Sequence, residues 1–368
     1  SNPSDTESTK NNTYYGTEYD GFVLDVHKNL KVPAAEIIKE TRPHLPDNGV
    51  KFWPDTVFPY LIIVNALIPA LLTGNTVILK PSPQTPLVAT RLIEIFQQAG
   101  MPKDVLTAVQ SGDSELVKQL VQLPDIKLVG FTGSTAGGLA IQEASKGRFL
   151  PLNLDLGGNN AAYVRPDADL YCCAVERIYV YSDVHDKFVE ELQKELHTYK
   201  LGDPMDSSIM VGPVISRAAQ KAINAQVQKA LSKGAIDVTL ANPSFKDGNY
   251  VAPVLLTRVT QDMAVMKEET FGPVIPVARV ASDDEAVRLI NDSDYGLTAS
   301  VWTRDILRGE EIIEQLEAGT VFINRCDYPN PDMAWTGWKK SGLGCTLGPR
   351  GFDAFFKLKS YHIKEKQG

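Results

Sequence analysis

The densest chemistry in the 368-residue chain lies in residues 152–173, LNLDLGGNNAAYVRPDADLYCC. A carboxylate, Asp155, sits on a short apolar run, Gly157 and Gly158 follow, and two adjacent cysteines, Cys172 and Cys173, close the stretch. A thiolate can attack a carbonyl carbon and a nearby carboxylate can activate the water that releases the acyl group. The pair is therefore the minimum equipment for covalent acyl chemistry. The blander alternatives are a small buried thiol with no reactivity at Cys172 and, at Asp155, a carboxylate satisfied by backbone N–H groups near Gly157. Upstream, Lys80-Pro81-Ser82 puts a cation and a hydroxyl after an apolar run, and Gly133-Ser134 stands where a helix N-terminus would present free N–H groups to a phosphate. Taken alone, these two read more simply as a solvated lysine and an ordinary turn.

The elements that must position these residues follow a strand–helix alternation. An apolar helix over residues 57–72 stops at Thr73-Gly74-Asn75, and apolar all round, it is expected to be buried in a large core. Strands are expected at 76–80, 105–109 and 126–132. The helices between them begin at Thr85-Pro86, a hydroxyl cap with a first-turn proline, and at Ser114; another opens at Gly133-Ser134-Thr135. This alternation implies parallel strands joined by right-handed crossovers, an α/β doubly wound arrangement whose ligands sit at the carboxyl ends of the strands. After Cys173 a second α/β block begins, with strands at 175–180, 252–259, 268–277 (after a turn), 299–302 and 320–324. Its helices are expected at 184–199, 217–234 and 283–292, followed by a Gly- and Trp-rich loop at 333–345 and a last strand at 357–364. Residues 17–50 carry no clear pattern beyond a helix that could start at Pro33 within 30–41. The division is a flexible tail (1–16), a dinucleotide-binding-like domain (17–158), a thiol-bearing catalytic domain (159–350) and a C-terminal tail with an oligomerisation-type strand (351–368).

Composition narrows the partners. A net charge of −8 and a pI near 5.3 argue against nucleic acid or an anionic membrane as the main partner. Four cysteines at this length make no disulfide framework, which points to a reducing, cytoplasmic setting. The longest apolar run is too short to span a bilayer and is interrupted by Pro59, Asn65 and Pro69.

Six motifs in order resemble the NAD(P)-dependent aldehyde dehydrogenase superfamily, as a truncated and divergent member. They are LIPALLTGNTVILKPSPQTP (67–86), GFTGSTAGG (130–138), LDLGGNN (154–160), CCAVERIYV (172–180), EETFGPV (268–274) and WTGWKKSGLG (335–344). The resemblance implies a Rossmann-like cofactor domain, NAD or NADP as cofactor, and a small-molecule aldehyde as substrate. In the implied reaction Cys172 attacks the aldehyde, the thiohemiacetal gives up hydride to leave a thioester, and water activated by Asp155 releases the acid. It also implies that Lys80 and Ser82 hold the adenosine ribose, and that Gly133, Ser134 and Gly138 form the pyrophosphate turn. Glu269 and Phe271 would then position the nicotinamide end. Trp335 and Trp338 read as cleft-wall packing.

The sequence departs from the family pattern near the chemistry. Val57 stands where relatives carry an oxyanion-holding asparagine, and Asp155 replaces a glutamate. Pro83 takes the place of a ribose-gripping acid, the segment before Cys172 is shorter by about one helix, and the region before Val57 is short. The alternative these departures support is a degenerate member that binds a ligand, acts as a scaffold or runs a redox-neutral reaction in the same cleft. The alternating strand at 357–364 is an exposed edge expected to seek a partner, with a homodimer as the implied assembly.

Overall fold

The computed structural model describes residues 59–168, 175–240, 248–326 and 329–364. The helix expected at 30–41, Val57 and both Cys172 and Cys173 lie outside the described residues.

The first half runs α1 (Pro59–Leu72), β1 (Val77–Leu79), α2 (Pro86–Gln98), β2 (Leu106–Ala108), α3 (Ser114–Gln122), β3 (Val129–Gly133), α4 (Thr135–Ala144) and β4 (Leu152–Leu156). Helix α1 ends as its sequence dictates: Gly74 takes φ of 79° and the Thr73 hydroxyl bonds back to the Pro69 carbonyl at 2.7 Å. Although apolar all round, α1 is not engulfed. Leu67 and Ala70 are buried, Leu67 against Val88, Leu92, Phe96 and Leu106, while Leu61 on another face is exposed. Thr85 makes no side-chain cap to α2, because its backbone (φ −130°, ψ 51°) departs from the cap geometry; Pro86 alone starts the helix. Strand pairs are parallel as expected, but the first-half strands do not form one sheet. β1 pairs with β2, while β3 pairs with β4 in a separate sheet.

The second half continues as β5 (Ala161–Val164), β6 (Arg177–Tyr181), α5 (Ser182–His197), α6 (Arg217–Ser232), β7 (Ile236–Asp237), β8 (Val254–Thr257), α7 (Ala264–Lys267) and β9 (Val274–Val280). It closes with α8 (Asp283–Asn291), β10 (Tyr295–Gly296), β11 (Thr298–Trp302), α9 (Ile306–Ile313), β12 (Thr320–Ile323), β13 (Trp338–Lys339), β14 (Gly342–Leu343) and a 3-10 turn at Pro349–Phe355. Seven strands form the main sheet in the order β12-β11-β5-β6-β9-β8-β7, parallel throughout except for β7. Its central strands are buried on both faces, with Tyr163, Tyr179, Val180, Leu255 and Val301 inaccessible, as a parallel sheet covered by helices requires.

Two features bear on function. β14 leaves the second half and pairs antiparallel with β4, so β4 is held between β3 and a strand from far along the chain. Residues 165–176 alone join the adjacent parallel strands β5 and β6, near the dozen-residue minimum for such a crossover. Residues 357–364, expected as a strand, carry exposed Leu358, Tyr361 and Ile363 and find no strand partner among the described residues. No helix among the described residues is long and apolar enough to cross a membrane.

Candidate functional site

Asp155 is the penultimate residue of β4. The strand register sets it opposite Thr132 on β3 and Gly342 on β14. Its side chain is half-buried, and the Trp335 indole N–H donates to its Oδ1 at 3.3 Å. Burial pushes its pKa up from 3.8 to about 6, while the indole hydrogen bond pulls the other way. A carboxyl group poised there is mostly ionised at neutral pH and still basic enough to take a proton from water. Gly342 is what lets β14 approach: at φ of 152°, a Cβ on it would lie 2.2 Å from the Leu154 carbonyl oxygen. Gly342→Ala is expected to lower stability by about 2 kcal/mol through that overlap, read as a lower urea midpoint; an unchanged midpoint would show that the pairing is dispensable.

On β3, one register step beyond Asp155's partner, the chain reaches Gly133 and turns into α4. The Ser134 hydroxyl caps the helix by accepting from Gly137 N at 3.2 Å, and Gly133, Ser134 and Ala136 stay exposed at the N-terminus of this ten-residue helix. Gly138 is buried against β4, where a Cβ would come within 2.5 Å of Leu156 Cδ1. A helix seated closely on its strand, with an open amino end, fits the phosphates of a dinucleotide. Lys80 and Ser82 follow β1. Lys80 Nζ bonds the Pro81 carbonyl at 3.1 Å and Ser82 Oγ accepts from Gln84 N at 3.3 Å. They stand on the other small sheet, and no described hydrogen bond ties them to the α4 turn.

The turn after β4 meets the second half. Gly158 N donates to Glu269 Oε1 at 3.0 Å, and the Glu269 carboxylate lies so close over Gly157 that a Cβ would fall 2.5 Å from Oε2. Phe271 is 37% exposed, so its ring is available to a ligand instead of being spent in the core. Glu176 N and Arg177 N both donate to Asn160 O at 3.0 Å, and Glu176 Oε2 accepts from Thr270 N at 2.7 Å. The chain that leaves Cys173 thus re-enters the described residues beside the Gly157-Gly158 turn and Glu269. Asn159, 2% exposed, gives its amide N–H to the Glu268 carbonyl while its Oδ1 has no hydrogen-bond partner among the described residues.

The fold therefore gathers Asp155, Gly133, Ser134, Gly138 and Glu269 around one junction, with Phe271 two residues beyond Glu269. Trp335 is more than cleft-wall packing, because it spends its only polar atom on Asp155. Glu176 carried no signal in the sequence, because its place is set by backbone contacts with Asn160 and Thr270 that lie far from it along the chain or across a turn.

The carboxyl end of the seven-stranded sheet carries a rival, a groove of about 330 Å³ lined by Arg165, Tyr181, Ser282, Asp283, Asp284 and Arg308. Its cations are already engaged. Asp283 accepts from Arg165 Nε at 3.1 Å, Arg308 Nε at 2.9 Å and the Tyr163 hydroxyl at 2.7 Å, which makes this a tie across strand ends.

Comparison with known proteins places the chain in a family. The model of the aldehyde dehydrogenase family matches residues 57–171 and 170–361, two pieces that meet in the short crossover. The chain is 34% identical over 339 residues to human 4-trimethylaminobutyraldehyde dehydrogenase, covering 86% of this chain and 68% of that protein. It is 32% identical over 368 residues to lactaldehyde dehydrogenase of Escherichia coli, covering 95% and 75%. Among solved structures, 3,6-anhydro-L-galactose dehydrogenase in complex with NAP superimposes with a TM-score of 0.79 at 33% identity, covering 83% of this chain and 69% of that one.

Proposed function

The chain belongs to the aldehyde dehydrogenase family, and on that premise we propose that it oxidises an aldehyde to the carboxylic acid with NAD or NADP. Cys172 is the nucleophile in this reading and Asp155 the general base. The observation that carries it is the adjacency of Asp155 on β4 to the exposed α4 N-terminus on β3, with Glu269 closing the same junction. The bound dinucleotide would supply the hydride acceptor. Gly133 and Ser134 would receive its pyrophosphate, Lys80 and Ser82 its adenosine ribose, and Glu269 and Phe271 its nicotinamide end. Glu269 must exchange its hydrogen bond from Gly158 for, or share it with, a ribose hydroxyl.

In the chemical step the Cys172 thiolate adds to the aldehyde carbon. Loss of hydride leaves a thioester on the sulfur, and Asp155 takes a proton from the water that attacks it, freeing the acid and the thiolate. Asp155 is one methylene shorter than the family's glutamate, so its reach falls by about 1.5 Å. The thioester step is thus the expected slow one. The exposed Leu358, Tyr361 and Ile363 support a second copy of the chain as partner.

The test is direct. Calorimetry with NAD and NADP should show binding of one of them, and a panel of aldehydes should then give absorbance from reduced nicotinamide. Neither binding nor turnover would overturn the proposal. Cofactor binding without reduction would instead favour the second reading, a redox-neutral role in the same cleft, for which the short crossover of residues 165–176 argues.

A further inference from the structure

Trp335 belongs to a segment clamped onto the strand that carries Asp155. Its own backbone is fixed by a reciprocal pair with Thr346, at 2.6 and 2.8 Å. Between these two residues the chain touches β4 repeatedly. Leu156 N donates to Ser341 O at 2.9 Å, Gly342 is in register with Asp155, and Asn153 Nδ2 donates to Cys345 O at 2.8 Å. The indole and the carboxylate, 180 residues apart in sequence, thus sit on one hydrogen-bonded unit. An indole N–H can only donate, so it pairs best with the ionised carboxylate. Among the described residues no other side chain donates to Asp155.

We infer that Trp335 is a positioning residue for Asp155: its N–H holds Oδ1 so that Oδ2 is left to accept a proton from water. The inference deepens the proposed oxidation and rests on that reading for its catalytic meaning. The short aspartate arm makes the role specific. A side chain with two rotatable bonds, held at one oxygen, keeps its second oxygen in one place, and this offsets part of what the lost methylene removes. Trp335 thereby also favours the base over its conjugate acid, against the burial that opposes ionisation.

The experiment separates this inference from the reaction. Protein labelled with carbon-13 at aspartate carboxyls is titrated, and the resonance absent from Asp155→Asn identifies Asp155. Its midpoint should lie near 6 in the parent. In Trp335→Phe, which keeps a ring and loses the N–H, it should move up by about one pH unit. The acid limb of the kcat profile for aldehyde oxidation should move by the same amount, with KM nearly constant. A second measurement spares Trp335 altogether: parent tryptophan fluorescence should step near pH 6, and Asp155→Asn should lose the step. An unmoved carbon midpoint in folded Trp335→Phe, a pH-independent fall in kcat, or a fluorescence step that persists in Asp155→Asn would each overturn the inference. A shifted midpoint in a protein that oxidises no aldehyde would uphold the Trp335–Asp155 coupling and sink the oxidative reading instead.

Discussion

Cys172→Ala should abolish aldehyde oxidation, with a loss of at least about 10⁴-fold in kcat, while leaving cofactor affinity within a few-fold of the parent. Without the sulfur no thiohemiacetal forms, and a free aldehyde or its hydrate has no route to a held intermediate from which hydride can leave. Cys173→Ala is the matched control and should retain most of the activity, since the proposed reading puts the nucleophile on the first cysteine of the motif CCAVERIYV. The measurement is reduced-nicotinamide absorbance for turnover beside calorimetry for binding, so that a folding defect shows itself as lost affinity. Activity in Cys172→Ala within tenfold of the parent would remove the thiol from the mechanism. Loss of activity in Cys173→Ala alone would move the assignment by one residue. The chain shortly after the cysteines gives the expectation its setting: the Glu176 and Arg177 N–H groups donate to Asn160 O, beside the turn that also holds Glu269.

How far such a site can be read in advance depends on whether its signals are local. The turn into α4 was legible because a glycine, a serine and a threonine lie together after an apolar run, and in the structure Ser134 caps the helix expected to open there. α3 begins at Ser114 as expected, and the Asp113 side chain accepts from Glu115 N at its start. β5 was not: Ala161–Val164 is a four-residue run buried at every position, and it lacks the alternation that marks a half-buried strand. α9 was missed for a related reason, since Gly309 in its interior weakens a helical pattern, although Thr303 and Ile323 crowd that position in the fold. The strand pattern at 357–364 was legible as alternation, but alternation does not supply a neighbouring ladder, and the described chain provides none. β14 and the Trp335–Asp155 bond were hidden in a glycine- and tryptophan-rich loop. Their meaning comes from pairing with a strand far away in sequence, and no periodicity encodes that. The separation of β1–β2 from β3–β4 is likewise a matter of which edges meet, which propensity cannot state.

Asp155→Asn should stall the reaction at the thioester and at the same time make the protein more stable at neutral pH. The first effect follows from removing the base: asparagine takes no proton from water, and general-base contributions of this kind run to about 10²–10⁴-fold. A single burst of reduced nicotinamide, equal to the enzyme present, followed by slow turnover is the expected trace. Its absence, with steady-state kcat unchanged, would overturn the assignment of Asp155. The second effect follows from linkage. In the folded state the Asp155 pKa is raised from 3.8 to about 6, so the fold favours the protonated form. That preference stabilises the fold fully below the unfolded value near 3.8 and is lost as pH rises through about 6. Above that range the ionised group opposes folding by at most about 3 kcal/mol. Asparagine carries no charge at any pH and keeps an oxygen to accept the Trp335 N–H. Asp155→Asn should accordingly unfold at a higher temperature than the parent at pH 8, with the difference shrinking to nothing near pH 4. A variant that is slower and more stable at pH 8 identifies a group held in an unfavourable state for the sake of the chemistry. A variant that is slower and less stable there would identify Asp155 as a structural carboxylate whose partners the fold needs.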